Sequence, residues 1–103
     1  MKRPQPEKVL VAPERLVYPA SRAFRRAGLE LIASLGPQPH KVIVDLGPTV
    51  EADSTGLEAL IAMRRRASSL RHTLVLHNVG PRVAELLEIT KLKDWFAVEN
   101  AVR

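Results

Sequence analysis

A chain of 103 residues is long enough for one domain with one modest core. Its 46 % apolar and 26 % charged residues exclude an intrinsically disordered polymer, and the lack of cysteine excludes disulfides and thiolate metal sites. The formal net charge of +5 raises nucleic acid, anionic membrane or an acidic protein as partners. The arginines read as dispersed over helices, however, and aromatic residues, at 4 %, are too few for a base-stacking surface.

In chain order, residues 1–7 are polar and proline-rich and read as a loose tail before a single domain over 8–103. No apolar run approaches the roughly 20 residues that span a bilayer. No signal core follows the basic N-terminus, so the chain is expected to be cytoplasmic, without direct membrane insertion. Lys8 to Ala12 is short, apolar and β-branched, a strand. Pro13-Glu14 gives a turn, and Arg15 to Tyr18 gives a second short strand. Pro19-Ala20-Ser21 opens a helix to about Leu35, with Phe24, Ala27, Leu31 and Leu35 on its inner side and Arg22, Arg25 and Arg26 largely outside it. Gly36-Pro37 stops that helix.

Lys41 to Leu46 is a nearly continuous apolar run, the pattern of a strand covered on both faces. Gly47-Pro48 breaks it. Asp53 or Ser54 can then cap a helix to about Leu70 that buries Leu57, Leu60, Ile61, Met63, Ala67 and Leu70. Thr73 to Leu76 is another buried strand. Pro81 suits the first turn of a last helix carrying Val83, Leu86 and Leu87, and Leu92, Trp95, Phe96 and Val98 close the domain. Helical crossovers between strands predict an α/β fold, a small mixed and mostly parallel sheet covered by helices.

Catalytic signatures are missing. There is no phosphate-binding G-x-x-x-x-G-K-[ST] loop, no G-x-G-x-x-G and no G-x-S-x-G elbow. His40 and His72 fall at loops or helix exits, where solvated histidine is ordinary, and His77 follows a strand. Asp45 and Asp53 flank one loop, but two carboxylates without convergent histidines make weak acid–base or metal machinery, and Asp45 reads as ordering that loop. The run Arg64-Arg65-Arg66 lies late in its helix, where cations complement the macrodipole, and spreads around the helix with the Arg64 stem covering core.

The most informative stretch is Val42-Ile43-Val44-Asp45-Leu46, then Asp53-Ser54-Thr55-Gly56-Leu57, then Leu74 to Val79, then Arg82 to Leu92. This ordered set resembles the STAS family, the domain shared by sulfate transporters and anti-sigma factor antagonists. Asp53-Ser54-Thr55-Gly56-Leu57 stands as that family's D-S-[ST]-G-L helix start. The likeness implies a non-enzymatic, cofactor-free antagonist that binds an anti-sigma factor with serine protein kinase activity and is switched off by phosphorylation at Ser54. It places partner contacts at Glu14, Asp53, Ser54, Thr55, Gly56 and Leu57, and no nucleic acid. The alternative is an accessory domain or subunit of a membrane anion or lipid transport system, and a third use is a module in a larger stress-signalling assembly, with Thr55 also modified.

The physical argument for Ser54 is independent. A helix start offers spare N–H donors and partial positive charge, so a phosphate there is tolerated and changes the surface rather than the fold. Three departures from the family pattern stand out. The antagonists' G-E-[LI]-D segment corresponds to Pro13-Glu14-Arg15-Leu16, and Glu51-Ala52 replaces bulkier apolar residues before Asp53. Lys91 also stands where the family has glycine. If its backbone is left-handed, it costs roughly 1 kcal/mol.

Overall fold

The computed structural model describes residues 5–100. Two strands, β1 (Glu7–Val11) and β2 (Arg15–Leu16), precede helix α1 (Ala20–Ser34). Then follow β3 (Lys41–Asp45), β4 (Glu51–Ala52), α2 (Ser54–Ser69), β5 (Thr73–His77), α3 (Pro81–Ile89) and β6 (Ala97–Glu99). The tail expected over 1–7 lies partly outside the described residues. Within them Glu7 already belongs to β1, and the Pro6 carbonyl accepts from Lys41 N–H at 2.8 Å.

The main sheet has the order β1-β3-β5-β6 with every pair parallel, and β2 and β4 form a separate parallel ribbon two residues long. Right-handed crossovers that always step the same way across a sheet put their helices on one face. Val42, Val44, Leu74 and Leu76 on that face join Phe24 and Ile32 of α1, Leu57, Leu60 and Met63 of α2, and Val83 and Leu87 of α3 in one core.

Alternate residues point the other way. There Val9, Ile43, Val75 and Ala97 stand in register across the four strands. Ile43 and Val75 are buried although neither belongs to the helix-covered core, while Val9 is exposed. On the same side Lys41 of β3 reaches across β5 to Glu99 of β6 at 3.1 Å, and His77 donates to the same carboxylate at 2.9 Å. The doubly buried run in β3 therefore has helices on one side and a polar strap on the other, not two helical layers.

The α1 stripe also differs from the sequence expectation. Ala27 is exposed, and the buried residues are Ser21, Phe24, Gly28 and Ile32, with Leu31 and Leu35 half-buried. Gly28 is chosen by the neighbouring helix: a Cβ there would lie 2.0 Å from Met63 Sδ. His72 is buried, not solvated, and its Nδ1 accepts the His40 backbone N–H at 3.0 Å. Val98, one of the residues read as closing the domain, is 45 % exposed. Arg64 does cover core, with its guanidinium 4.2 Å from the Trp95 ring centroid. No helix among the described residues is long and apolar enough to cross a membrane.

Candidate functional site

The segment between β3 and α2 is held at both ends. Asp45 Oδ1 accepts from Gly47 N–H at 2.8 Å and from Asn78 Nδ2 at 3.0 Å, so the aspartate orders the loop as its position suggested. The loop then leans on the Pro13-Glu14 turn. Thr49 donates its hydroxyl to the Pro13 carbonyl at 2.8 Å, and the Val50 and Glu51 N–H groups donate to Glu14 O. The β2–β4 ribbon carries this register to Asp53, whose N–H donates to Leu16 O at 3.2 Å. Two of the departures from the family pattern meet here: Arg15 and Glu51 are cross-strand neighbours and form an ion pair at 3.2 Å.

Asp53, not Ser54, caps α2. Its extended backbone turns the carboxylate onto the first turn. There Oδ1 accepts from Thr55 N–H at 2.9 Å, Gly56 N–H at 3.1 Å and the Thr55 hydroxyl at 2.6 Å. Oδ2 accepts from Tyr18 N–H at 3.1 Å, tying the start of α2 to the residue before the cis Pro19. The Thr55 hydroxyl, followed by the Tyr18 N–H, holds the Asp53 carboxyl below its ordinary value, because each bond favours the charged form. The Thr55 hydroxyl also shares a short hydrogen bond with the buried Ser21 of α1.

This arrangement separates two adjacent hydroxyls. Thr55 is half-buried and engaged twice. Ser54 is exposed, occupies the first position of α2, and makes no side-chain hydrogen bond among the described residues. Gly56 is required by approach: a Cβ would stand 2.4 Å from Leu16 O and 2.7 Å from Leu16 Cγ. Leu57 is buried in the core below. Of the residues singled out from the sequence, Asp53, Ser54, Thr55, Gly56 and Leu57 therefore form one helix start. Within it Ser54 faces solvent and the glycine and leucine seat the turn. Glu14 is exposed on the adjoining turn, held to the loop through its carbonyl rather than its carboxylate.

Two surface residues at this pole escaped the sequence argument. Tyr18 and Val50 are 58 % and 62 % exposed. Tyr18 lines the cleft with Ser21, Arg22 and Thr55, and Val50 stands at the tip of the loop pinned to Glu14. An apolar letter in a strand-like stretch signals core, so neither announced itself. Among the described residues no group of three or more His, Asp or Glu gathers to hold a metal ion.

Comparison with known proteins bears on the fold. An anti-sigma-factor antagonist (STAS) domain protein from Planctomyces limnophilus superposes with a TM-score of 0.78 at 20 % identity, over 92 % of this chain and 82 % of that one. A sulfate transporter family protein from Wolinella succinogenes gives 0.71 at 14 % identity, over 95 % and 82 %. The murine anion transporter Solute Carrier 26 family member A9 gives 0.77 at 16 % identity, over 98 % of this chain but 17 % of the transporter. These likenesses establish the fold. No curated protein sequence matches the chain. The sequence profile of the STAS domain matches residues 2–103, nearly the whole length, and the chain belongs to the STAS domain family.

Proposed function

We propose that this protein is an anti-sigma factor antagonist. It acts by binding and not by catalysis, its partner is an anti-sigma factor with serine kinase activity, and Ser54 is the switch. The observation that carries the reading is the contrast at the start of α2. Among the described residues the Ser54 hydroxyl is exposed and unengaged, beside a Thr55 hydroxyl committed to Asp53 and Ser21. A kinase reaches the first without breaking a bond of the fold. Because Asp53 supplies the cap, modification of Ser54 leaves the helix start intact. A phosphate adds about −1.5 to −2 charges and bulk to a surface that Glu14, Tyr18 and Val50 share, and so ends binding by repulsion and steric conflict.

A pull-down from a lysate of the source organism with wild-type, Ser54→Ala and Ser54→Asp baits tests this. A serine-kinase-type anti-sigma factor is retained by the first two and lost with the third, and wild-type protein recovered from cells carries phosphate on Ser54. A transporter component retained equally by all three would refute the switch. It would favour the accessory role in transport, which the comparable superposition on a transporter domain leaves as the second reading.

A further inference from the structure

The seam between α1 and α2 carries a charge pattern that the fold does not use. It opens at the helix starts in a cleft of about 450 Å3 where Arg22 and Arg25 stand beside Thr55 and Glu58. It continues past Arg26, Leu29 and Glu30, and then along Arg65, Arg66 and Ala62 of α2. On α1, positions 22, 25, 26 and 29 recur at helical spacing and form a ridge of their own beside the buried stripe. The arginines that read as dispersed in the sequence thus gather on one surface. The triple-arginine run divides, with Arg64 over Trp95 and the next two facing the seam.

Five guanidinium groups face two carboxylates here, and all five arginines are exposed. None of the five forms an ion pair among the described residues, whereas Arg15 and Arg82 each have a glutamate. Like charges gathered on adjacent helices repel and contribute nothing to the core. The half-buried Leu29 and Ala62 give the seam an apolar floor.

We infer that this seam docks an acidic segment of the protein partner that reads Ser54, an inference that rests on the proposed function. Charge complementarity sets the sign of the occupant. A concave seam with an apolar floor suits a polypeptide bearing acidic and apolar side chains better than a flat bilayer. The exposed large apolar residues that could enter lipid (Val9, Val11, Val50, Ile89 and Val98) lie on other elements. Tyr18 alone supplies an aromatic face, too little for stacking a row of bases. From Thr55 to Ser69 the seam runs about 20 Å along α2, room for roughly six extended residues. Thr55 shares the mouth of the seam with Arg22 and Arg25, so a phosphate on the preceding Ser54 weakens the positive field where the acidic segment enters.

The full 15N-labelled chain is titrated with an acetylated Glu-Glu-Ala-Leu repeat peptide of about twelve residues. Separate titrations use phosphatidylcholine–phosphatidylserine vesicles and a short RNA duplex. Amide shifts are expected around residues 22–29 and 62–69. An Arg25→Glu/Arg65→Glu variant, with both sites exposed and its melting temperature checked, is expected to bind the peptide roughly tenfold more weakly at low salt. Scattered shifts, an unchanged affinity, or tighter binding of vesicles or duplex than of peptide would overturn the inference. Partner capture separates the two ideas. If capture is lost with Ser54→Asp but intact in the double arginine variant, the seam is refuted and the switch stands. If it is lost in the arginine variant but intact with Ser54→Asp, the seam stands and the switch falls.

Discussion

Replacing Gly56 by alanine tests whether the start of α2 is seated on β2 by direct backbone approach. The added Cβ would stand 2.4 Å from Leu16 O and 2.7 Å from Leu16 Cγ, closer than the 3.0 Å that such atoms essentially never breach. Leu16 cannot retreat, since it is fully buried, paired with Ala52 and holds the Asp53 N–H on the same carbonyl. Overpacking of this kind costs about 1–3 kcal/mol, and the weakened Asp53–Leu16 hydrogen bond adds about 0.5–1.5. Alanine returns up to about 1 kcal/mol of helix propensity, and no glycine has a positive φ to complicate the comparison. The net loss is about 2 kcal/mol, a fall in melting temperature of roughly 8–16 °C for a domain of this size. Thermal unfolding followed by circular dichroism reads it directly. Gly36→Ala is the control: nothing lies within 4 Å of its added Cβ, and it should be neutral or stabilising by up to about 1 kcal/mol. If the two variants melt together, α2 does not depend on the approach described.

Lys91 and Arg71 have φ values of 60° and 66°, so Lys91→Gly or Arg71→Gly should each raise stability by about 0.5–1 kcal/mol in urea unfolding. Asp53→Ala removes the cap and the Tyr18 tie, and should cost about 1–2 kcal/mol, while Ser54→Ala should cost almost nothing. Acid should weaken the fold through Asp53 and Glu99. Their carboxyls lie below the ordinary values of 3.8 and 4.5, Glu99 first through the His77 hydrogen bond and then through Lys41. Both bind protons more tightly when unfolded. Their stabilisation is therefore complete above those ordinary values and is lost as pH falls through and below them. Urea midpoints between neutral pH and about pH 3 should fall for wild type and fall less for Glu99→Gln.

The sequence displayed β3 and β5 openly, because a strand buried on both sides must be apolar at nearly every position. It concealed β4 and β6. One is two residues long and exists through its pairing with β2, and the other is exposed throughout and carries no alternation. The α1 face was misjudged at Ala27 because the choice of Gly28 and Ser21 is made by α2, through Met63 and Thr55. His72 was placed in solvent because its one service, accepting the His40 N–H, is a tertiary pairing with no sequence pattern. The helix start was legible as a motif. Which residue caps it was not, since serine and aspartate both suit that role and only the extended backbone at Asp53 decides. The arginine seam was invisible for a related reason: its two walls lie some forty positions apart in the chain.

The strap over the outer face also sets an order of opening. β6 is three residues long, is exposed throughout and pairs with β5 alone among the described strands, and Glu99 adds side-chain ties to His77 and Lys41 to that backbone pairing. Such an edge is the first part of a sheet to come away, while β3 and β5 open only with the whole molecule. In hydrogen exchange, the amides of 97–99 should lose protection at a cost well below that of global unfolding, and sooner still in acid. The start of α2 is anchored instead to β2 and α1, so fraying at that edge leaves Ser54 presented as before.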